Sequence, residues 1–168
     1  MDYVVDACNL IFRDRFLEET LDNRGFQAAR AQLVAMLSTF AQTEGLKKII
    51  AVFDGSEKAA HRPRRQSESS GKVVLFYADP RANADRMIVE MVENAKRPGE
   101  ITVVSSDKGL VRQVQRAQGH SLSCRDFLRQ ARLSRRHAMD PLQGEDPRKF
   151  AGNLSDREIE EWMKYFNF

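Results

Sequence analysis

The chain has 168 residues, of which 42% are hydrophobic and 30% are charged, so it falls in the size range of one domain with a core of ordinary size. Its 27 Lys and Arg residues against 24 Asp and Glu residues give a net charge of only +3, which alone does not identify a nucleic-acid-binding protein. The sequence has no apolar run close to the ~20 residues of a membrane span and no basic leader before its first strand-like segment, so we expect a soluble, cytoplasmic protein with no membrane partner.

The predicted elements alternate along the chain between short β-branched runs and amphipathic helices. Strands are predicted at 3–5, 49–53, 73–76 and 101–104, with a weaker fifth strand at 120–123. Helices are predicted at 26–43, at about 84–95 and directly after Asp107, because apolar residues recur there at a spacing of three to four. This alternation predicts an α/β fold whose sheet is parallel, with right-handed crossovers and helices on both faces.

Aspartates stand where the predicted strands end. Asp6 follows the first strand, Asp54 the second and Asp107 the fourth, and Asp85 lies in the first turn of a helix that begins at the same edge. The carboxyl ends of parallel strands form one edge, which is where open α/β sheets place their sites. Each aspartate by itself could cap a helix or shape a turn, but independent caps have no reason to collect at one edge. The pattern therefore favours a functional cluster.

A cluster of carboxylates favours a bound cation. Two carboxylates ~4 Å apart repel by ~4 kcal/mol at an effective dielectric constant of ~20, so several of them together would take up protons or a divalent ion. An oxygen-only ligand set suits Mg²⁺ or Mn²⁺ far better than Zn²⁺. We therefore expect a magnesium or manganese site at this edge.

The other reactive side chains form no recognisable site. Cys8 and Cys124 are predicted to be reduced thiols, and no histidine near Cys8 is available to activate it as a nucleophile. The three histidines, His61, His120 and His137, lack metal-ligand spacing. Neither a P-loop nor a glycine-rich dinucleotide turn is present, so nucleotide cofactors are not expected.

Four segments stand in an order that is specific where any single one of them is weak. They are Val4-Val5-Asp6-Ala7-Cys8-Asn9-Leu10-Ile11, Val52-Phe53-Asp54-Gly55, Ala82-Asn83-Ala84-Asp85-Arg86-Met87-Ile88 and Val103-Val104-Ser105-Ser106-Asp107. This set resembles the NYN-domain nucleases, relatives of the PIN domains, and especially their YacP-like branch. The resemblance covers roughly the first four-fifths of the chain. It implies a PIN-like three-layer α/β/α sandwich with a central, mainly parallel sheet of about five strands.

The resemblance also implies an activity, that of a metal-dependent endoribonuclease that hydrolyses RNA phosphodiesters to 5′-phosphate and 3′-hydroxyl products. One or two Mg²⁺ or Mn²⁺ ions would generate hydroxide and polarise the scissile phosphate. Free and ribosome-associated cleavage both stay open, as does a homodimer. The implied roles are metal ligation by Asp6, Asp85 and Asp107, ligation or outer-shell support by Asp54, positioning of water or phosphate by Asn9, and orientation of neighbouring groups by Ser105 and Ser106.

The chain departs from the family pattern at two places. Ala7-Cys8 replaces the commoner Gly-Tyr, which affects the turn or a stacking contact. Gly109 stands where many NYN proteins have a further acid, so the second metal position is expected to be weak or filled only with substrate.

A basic stretch follows Asp54 and is the main candidate for RNA contact. Neutralisation of several phosphates there would give salt-dependent binding, while the alternative is a solvated loop. The three serines of segment 67–70 and the following Gly71 favour a mobile segment. The candidate RNA-binding residues are Lys58, His61, Arg62, Arg64 and Arg65, with Arg13, Lys108 and Arg112 as secondary candidates.

The chain changes character after about Leu133. We therefore expect a nuclease domain at 1–133 and, at 134–168, a linker rich in charge, Pro and Gly followed by a short helix. The helix would begin near Ser155 and carry an apolar stripe that includes Trp162. It would dock on the same domain or on a partner.

Other functions compete with a ribonuclease. A non-catalytic RNA-binding module would keep the fold without needing the full acid cluster, and a structure-specific DNA nuclease would use the same cluster. A haloacid-dehalogenase-like phosphatase would need a second Asp two residues after Asp6, where Cys8 stands. A receiver-type signalling domain is disfavoured because Asp54 lies beyond its strand and no lysine follows the later strand as expected.

Overall fold

A computed structural model of the chain describes residues 2–55, 67–78 and 83–138. Two short connections, at 14 and 25, separate the first three helices. In chain order the elements are β1 (Asp2–Asp6), α1 (Ala7–Arg13), α2 (Arg15–Arg24), α3 (Phe26–Thr43), β2 (Ile49–Phe53), β3 (Ser67–Ser70), β4 (Val73–Tyr77), α4 (Ala84–Glu93), a 3-10 turn (Pro98–Glu100), β5 (Ile101–Val104), α5 (Lys108–Arg116), β6 (His120–Leu122) and α6 (Cys124–Ala138).

The described strands form one sheet in the order β3-β4-β2-β1-β5-β6. Five of them, β4, β2, β1, β5 and β6, are parallel to one another, which confirms the predicted mainly parallel sheet. The sixth, β3, is antiparallel to β4 at the edge. The segment at 67–70 was expected in a mobile loop; it is a strand instead, because Gly71 adopts a φ of +57° and turns the chain directly into β4.

Strand β1 occupies the middle of the sheet and fixes where the site lies. It pairs with β2 on one side and β5 on the other, so that Val5 lies opposite both Ala51 and Val104. The last residue of β1, Asp6, pairs with Val52. The chain segments that follow β1, β2 and β5 therefore leave the sheet side by side at one edge.

Alternate residues of each strand face two separate hydrophobic cores. Val5 and Phe53 pack with residues of α1, α2, α3 and α6, where Phe40 and Phe127 meet edge to face at 4.9 Å between ring centroids. Val4 and Val52 pack on the other face of the sheet, against α4 and α5. The molecule is thus the expected α/β/α sandwich.

Three helices were not predicted from the sequence. Asp6 caps α1, and buried Asp14 caps α2 by accepting hydrogen bonds from the backbone N–H groups of Phe16 and Leu17 at 3.1 Å. The third, α6, runs through Ala138 and so passes the expected boundary at 133. Its buried Ser134 donates a hydrogen bond to Glu44, which anchors the start of the expected linker to the domain.

The rest of the expected linker and the expected C-terminal helix lie outside the described residues. Within residues 2–55, 67–78 and 83–138, no helix is both long enough and apolar enough to cross a membrane.

Candidate active site

Asp6 is the buried centre of the carboxyl edge. Its side chain is 5% exposed because α1 begins directly after it and folds over the end of β1. One carboxylate oxygen caps that helix by accepting the backbone N–H of Asn9 at 3.2 Å, and the other accepts the hydroxyl of Ser105 at 2.9 Å. Both oxygens of Asp6 are thus held by the chain itself.

Ser105 connects Asp6 to the next strand end. Its hydroxyl donates to Asp6 and also accepts the backbone N–H of Asp107 at 3.1 Å. Asp107 in turn caps α5, with one oxygen 2.8 Å from the backbone nitrogen of Leu110. A Cβ at Gly109 would lie 3.0 Å from that oxygen of Asp107, so a larger residue there would require the Asp107 carboxylate to shift by a few tenths of an ångström.

Asn9 ties α1 to β5 and α6. Its side-chain oxygen accepts the backbone N–H of Ser106 at 3.0 Å and the thiol of Cys124 at 3.2 Å. The Ser106 hydroxyl accepts the backbone N–H of Cys124 at 3.1 Å. This oxygen of Asn9 therefore holds protein groups, where the sequence predicted a contact with water or phosphate. We call Asp6, Asn9, Ser105, Ser106 and Cys124 the floor of the site.

The three remaining aspartates are more accessible, and we call Asp54, Asp85 and Asp107 the rim. Asp54 and Asp107 are exposed and Asp85 is half-buried. One oxygen of Asp54 accepts the backbone N–H of Ala84 at 2.9 Å, which ties the end of β2 to the start of α4. Asn83 caps α4, and this leaves Asp85 in the first turn, beside Asp54.

The four aspartates share one electrostatic field. Burial raises the pKa of Asp6 to about 6, against the hydrogen bonds from Asn9 and Ser105, and the charges of Asp85 and Asp54 raise it further. The pKa of Asp85 is also raised, first by burial and then by the charges of Asp107 and Asp54. In the described part of the chain, no arginine or lysine forms an ion pair with any of the four.

The donor chemistry of this edge fits a hard divalent cation, because every candidate ligand is a carboxylate oxygen and like charges lie close together. The positions of these side chains fit a bound metal ion less well than their chemistry does. Among the described residues, no three Asp, Glu, His or Cys side chains are grouped so as to hold a metal ion. The floor already occupies both oxygens of Asp6, so the structure brings the acids together without arranging them as a ligand shell.

Both cysteines lie at the site, although the sequence analysis gave them no part in it. Each is a free thiol, as expected. Burial raises the pKa of Cys8 to about 11, and the charge of Asp54 raises it further, while the backbone of Asp54 lowers it. Burial likewise raises the pKa of Cys124. Both thiols are thus protonated at neutral pH, which argues against a thiolate nucleophile. The strand-end rule applied to the fifth strand would have located Cys124, since it follows β6 by two residues.

Three of the candidate RNA-binding residues are described. Lys108 and Arg112 are exposed on the first turns of α5 and line a groove next to Ser105 and Ser106. Arg13 is exposed at the end of α1 and lies close enough to Cys124 to lower the pKa of its thiol. The main candidates lie outside the described residues: Lys58, His61, Arg62, Arg64 and Arg65.

The fold and the site together define the class of protein: a mainly parallel α/β/α sandwich with aspartates at the carboxyl edge of its sheet. Two crystal structures of Rae1 (YacP) from Bacillus subtilis share this fold. A mutant of that protein matches with a TM-score of 0.68 and 22% identity, over 98% of this chain and 92% of that chain. The other structure also gives a TM-score of 0.68, with 21% identity over 99% of this chain and 92% of that chain.

The model of the YacP-like NYN domain family matches residues 3–167, and the chain belongs to this family. The match continues past residue 133, so it includes the C-terminal segment that the sequence analysis set apart. The family is of nuclease type, which indicates a nuclease-type, RNA-related function. No curated protein matches the chain significantly.

Proposed function

We propose that this protein is a metal-dependent endoribonuclease that hydrolyses RNA phosphodiesters at the carboxyl edge of its sheet. The observation that carries the proposal is the meeting of Asp6, Asp54, Asp85 and Asp107 at one edge, with no basic side chain of the described residues paired to them. Uncompensated acids at a sheet edge cost stability, so their collection there calls for a functional reason. Membership of a nuclease-type family supplies that reason.

The cofactor would be one or two Mg²⁺ or Mn²⁺ ions held by Asp54, Asp85 and Asp107, with Asp6 as the buried ligand or anchor. When bound, a metal ion of this kind activates water and offsets the charge of the scissile phosphate. The floor contributes rigidity, because Ser105 and the backbone of Asn9 fix the Asp6 carboxylate. Ser105 also fixes the backbone of Asp107, so that two of the acids keep a set separation.

The test is cleavage of an end-labelled RNA by the purified chain with Mg²⁺, with Mn²⁺ and with excess EDTA. Asp85→Asn should lower the rate at least ~100-fold, since it removes a charged group from the rim. Asp22→Asn is the matched control, because Asp22 is exposed on α2, away from the carboxyl edge. Cleavage in EDTA, or equal rates for the two variants, would contradict the proposal.

A non-catalytic RNA-binding module is the second candidate, and the lack of a grouped ligand set among the described residues favours it. Chelator-insensitive RNA binding without cleavage is the result it predicts. The same assay with duplex and flap DNA substrates examines a structure-specific DNA nuclease. Naked RNA and ribosome-bound RNA, tested as separate substrates, distinguish free cleavage from cleavage on the ribosome.

A further inference from the structure

A groove of about 360 Å³ opens next to the rim, between α5 and the carboxyl ends of β5 and β6. Two of its lining residues, Ser105 and Ser106, also belong to the floor, so the groove is continuous with the site. Its volume falls within the ~300–1,000 Å³ of ordinary ligand pockets and exceeds what a phosphate group alone would fill. The lining residues are Ser105, Ser106, Lys108, Val111, Arg112, Ser121, Leu122 and Ser123.

Two charged residues line the groove, Lys108 and Arg112, and both are positive. Lys108 and Arg112 lie one helical turn apart on α5 and are exposed. Some other helical arginines form ion pairs within their own helix, as in Arg86–Glu90 and Arg129–Asp126. Within the described chain, neither Lys108 nor Arg112 has an ion-pair partner. The groove thus presents two uncompensated positive charges beside an acidic rim.

The hydroxyl groups of the groove differ in what they can still bind. Ser105 and Ser123 already donate, to Asp6 and to Asp126 respectively. The Ser106 hydroxyl accepts the backbone N–H of Cys124 and also hydrogen-bonds to its thiol, whereas Ser121 forms no side-chain hydrogen bond with the described residues. One hydroxyl donor, that of Ser121, therefore remains for an anionic or hydroxylated ligand, next to the two cations.

We propose that this groove binds one nucleotide of the RNA strand adjacent to the scissile phosphate. Lys108 and Arg112 neutralise its phosphate, and the sugar lies against the half-buried side chains of Val111 and Leu122. Ser121 donates to one of its oxygens. The inference rests on the proposed function, since the scissile phosphate is the one at the rim. It adds a subsite on the β6 side of the sheet, whereas Asp54 follows β2 on the other side of β1.

The experiment measures RNA binding without cleavage, by fluorescence anisotropy in EDTA, with a labelled single-stranded oligoribonucleotide of about 12 nucleotides. The groove variant is Lys108→Gln/Arg112→Gln in the full chain. The matched control is Lys47→Gln/Lys48→Gln, which removes the same charge from two exposed residues before β2, at the opposite edge of the sheet. Equal melting temperatures establish that both variants fold.

The groove variant should bind about tenfold to a hundredfold more weakly than the wild-type chain. Its slope of log K against log salt should fall by about 0.7, the value for one phosphate of a single strand. The control should keep both the affinity and the slope. Equal binding by the two variants, or weaker binding with an unchanged slope, would overturn the subsite.

The two proposals fail separately. If the wild-type chain cleaves RNA and the groove variant binds like the control, the subsite is wrong and the nuclease stands. If no metal supports cleavage but the groove variant still loses RNA, the nuclease is wrong and the groove remains an RNA-binding site of a non-catalytic module.

Discussion

The floor and the rim of the site differ in burial and in how their carboxylates are held. The floor is a chain of short hydrogen bonds in which buried Asp6 is held by Ser105 and by the backbone of Asn9. The rim consists of more accessible carboxylates, where the charges of Asp107 and Asp54 raise the pKa of Asp85. Asp54 and Asp107 each accept only one backbone N–H, from Ala84 and from Leu110. The difference teaches that the floor fixes the position of one buried acid, whereas the rim adds accessible negative charge, so a substitution can change one of these and leave the other.

The sharpest test of that division is Asp6→Asn, compared with Asp85→Asn. An Asn at position 6 keeps the cap on α1 but loses the buried charge. Because the pKa of Asp6 is raised from 3.8 to about 6, the charged form destabilises the fold by up to about 3 kcal/mol at neutral pH. We expect Asp6→Asn to raise the free energy of unfolding at pH 7 while losing RNA cleavage. Urea denaturation and the RNA assay measure the two effects.

The pH dependence of this gain follows from the direction of the shift. The folded chain holds the Asp6 proton up to about pH 6, whereas the unfolded chain releases it near 3.8. The stabilisation by protonated Asp6 is therefore complete below 3.8 and is lost as the pH rises through 6. The stability difference between Asp6→Asn and the wild-type chain should be largest at pH 7 and should close toward pH 4. A difference that stays constant over this range would refute the buried charge as its cause.

Metal binding should act through the rim. We expect Mn²⁺ at about 100 times its dissociation constant to add about 2.7 kcal/mol of stability to the wild-type chain, because the ion replaces repulsion with attraction. Asp85→Asn should lose most of this gain, and the Asp22→Asn control should keep it. Thermal melts with and without the ion give the answer independently of activity. A gain that is equal in all three chains would assign the effect to a site elsewhere.

A smaller effect is expected from Ser105→Ala, which breaks the link between floor and rim. The change leaves an oxygen of Asp6 and the backbone N–H of Asp107 without their partner, at a cost of about 1–3 kcal/mol. Activity should fall about tenfold because both carboxylates lose their set positions. Ser134→Ala is the control, because it removes the hydrogen bond of another buried serine, to Glu44 at the end of α3. It should leave cleavage unchanged, and equal losses in both variants would remove the argument for a positioning role of Ser105.

The smallest effect is expected from Cys8→Ala. The thiol lies beside Asp54 but is protonated, with a pKa of about 11, so it supplies neither charge nor a nucleophile. We expect cleavage within about twofold of the wild-type rate. A loss comparable with that of Asp85→Asn would mean that the thiol takes part in the chemistry, and it would place Cys8 in the rim.

The parallel sheet, α3 and the four aspartates could be predicted because each leaves a periodic or positional signal. The prediction for α3 at 26–43 coincides with Phe26–Thr43, and α4 ends two residues before the predicted 95. Strand β3 left no such signal, since Ser and Glu are poor strand formers and its pairing with β4 depends on the turn at Gly71. Helices α2 and α6 are rich in charge, and their caps and ion pairs are visible only once they pack: Arg132 of α6 reaches Asp14 at 3.5 Å.

The sequence by itself determined the alternation of strands and helices, because strand and helix periodicity are local properties of the chain. The alternation also indicates the edge at which the acids meet, because strands joined by helical crossovers pair in parallel. Only the tertiary structure decided what each acid does there. Asp6 is buried and held by two hydrogen bonds, one of them from Ser105, which is 99 residues away along the chain. The Cys124 thiol likewise donates a hydrogen bond to Asn9, which is 115 residues away along the chain but adjacent in the fold. Contacts between residues so far apart along the chain leave no local pattern in the sequence from which they could be predicted.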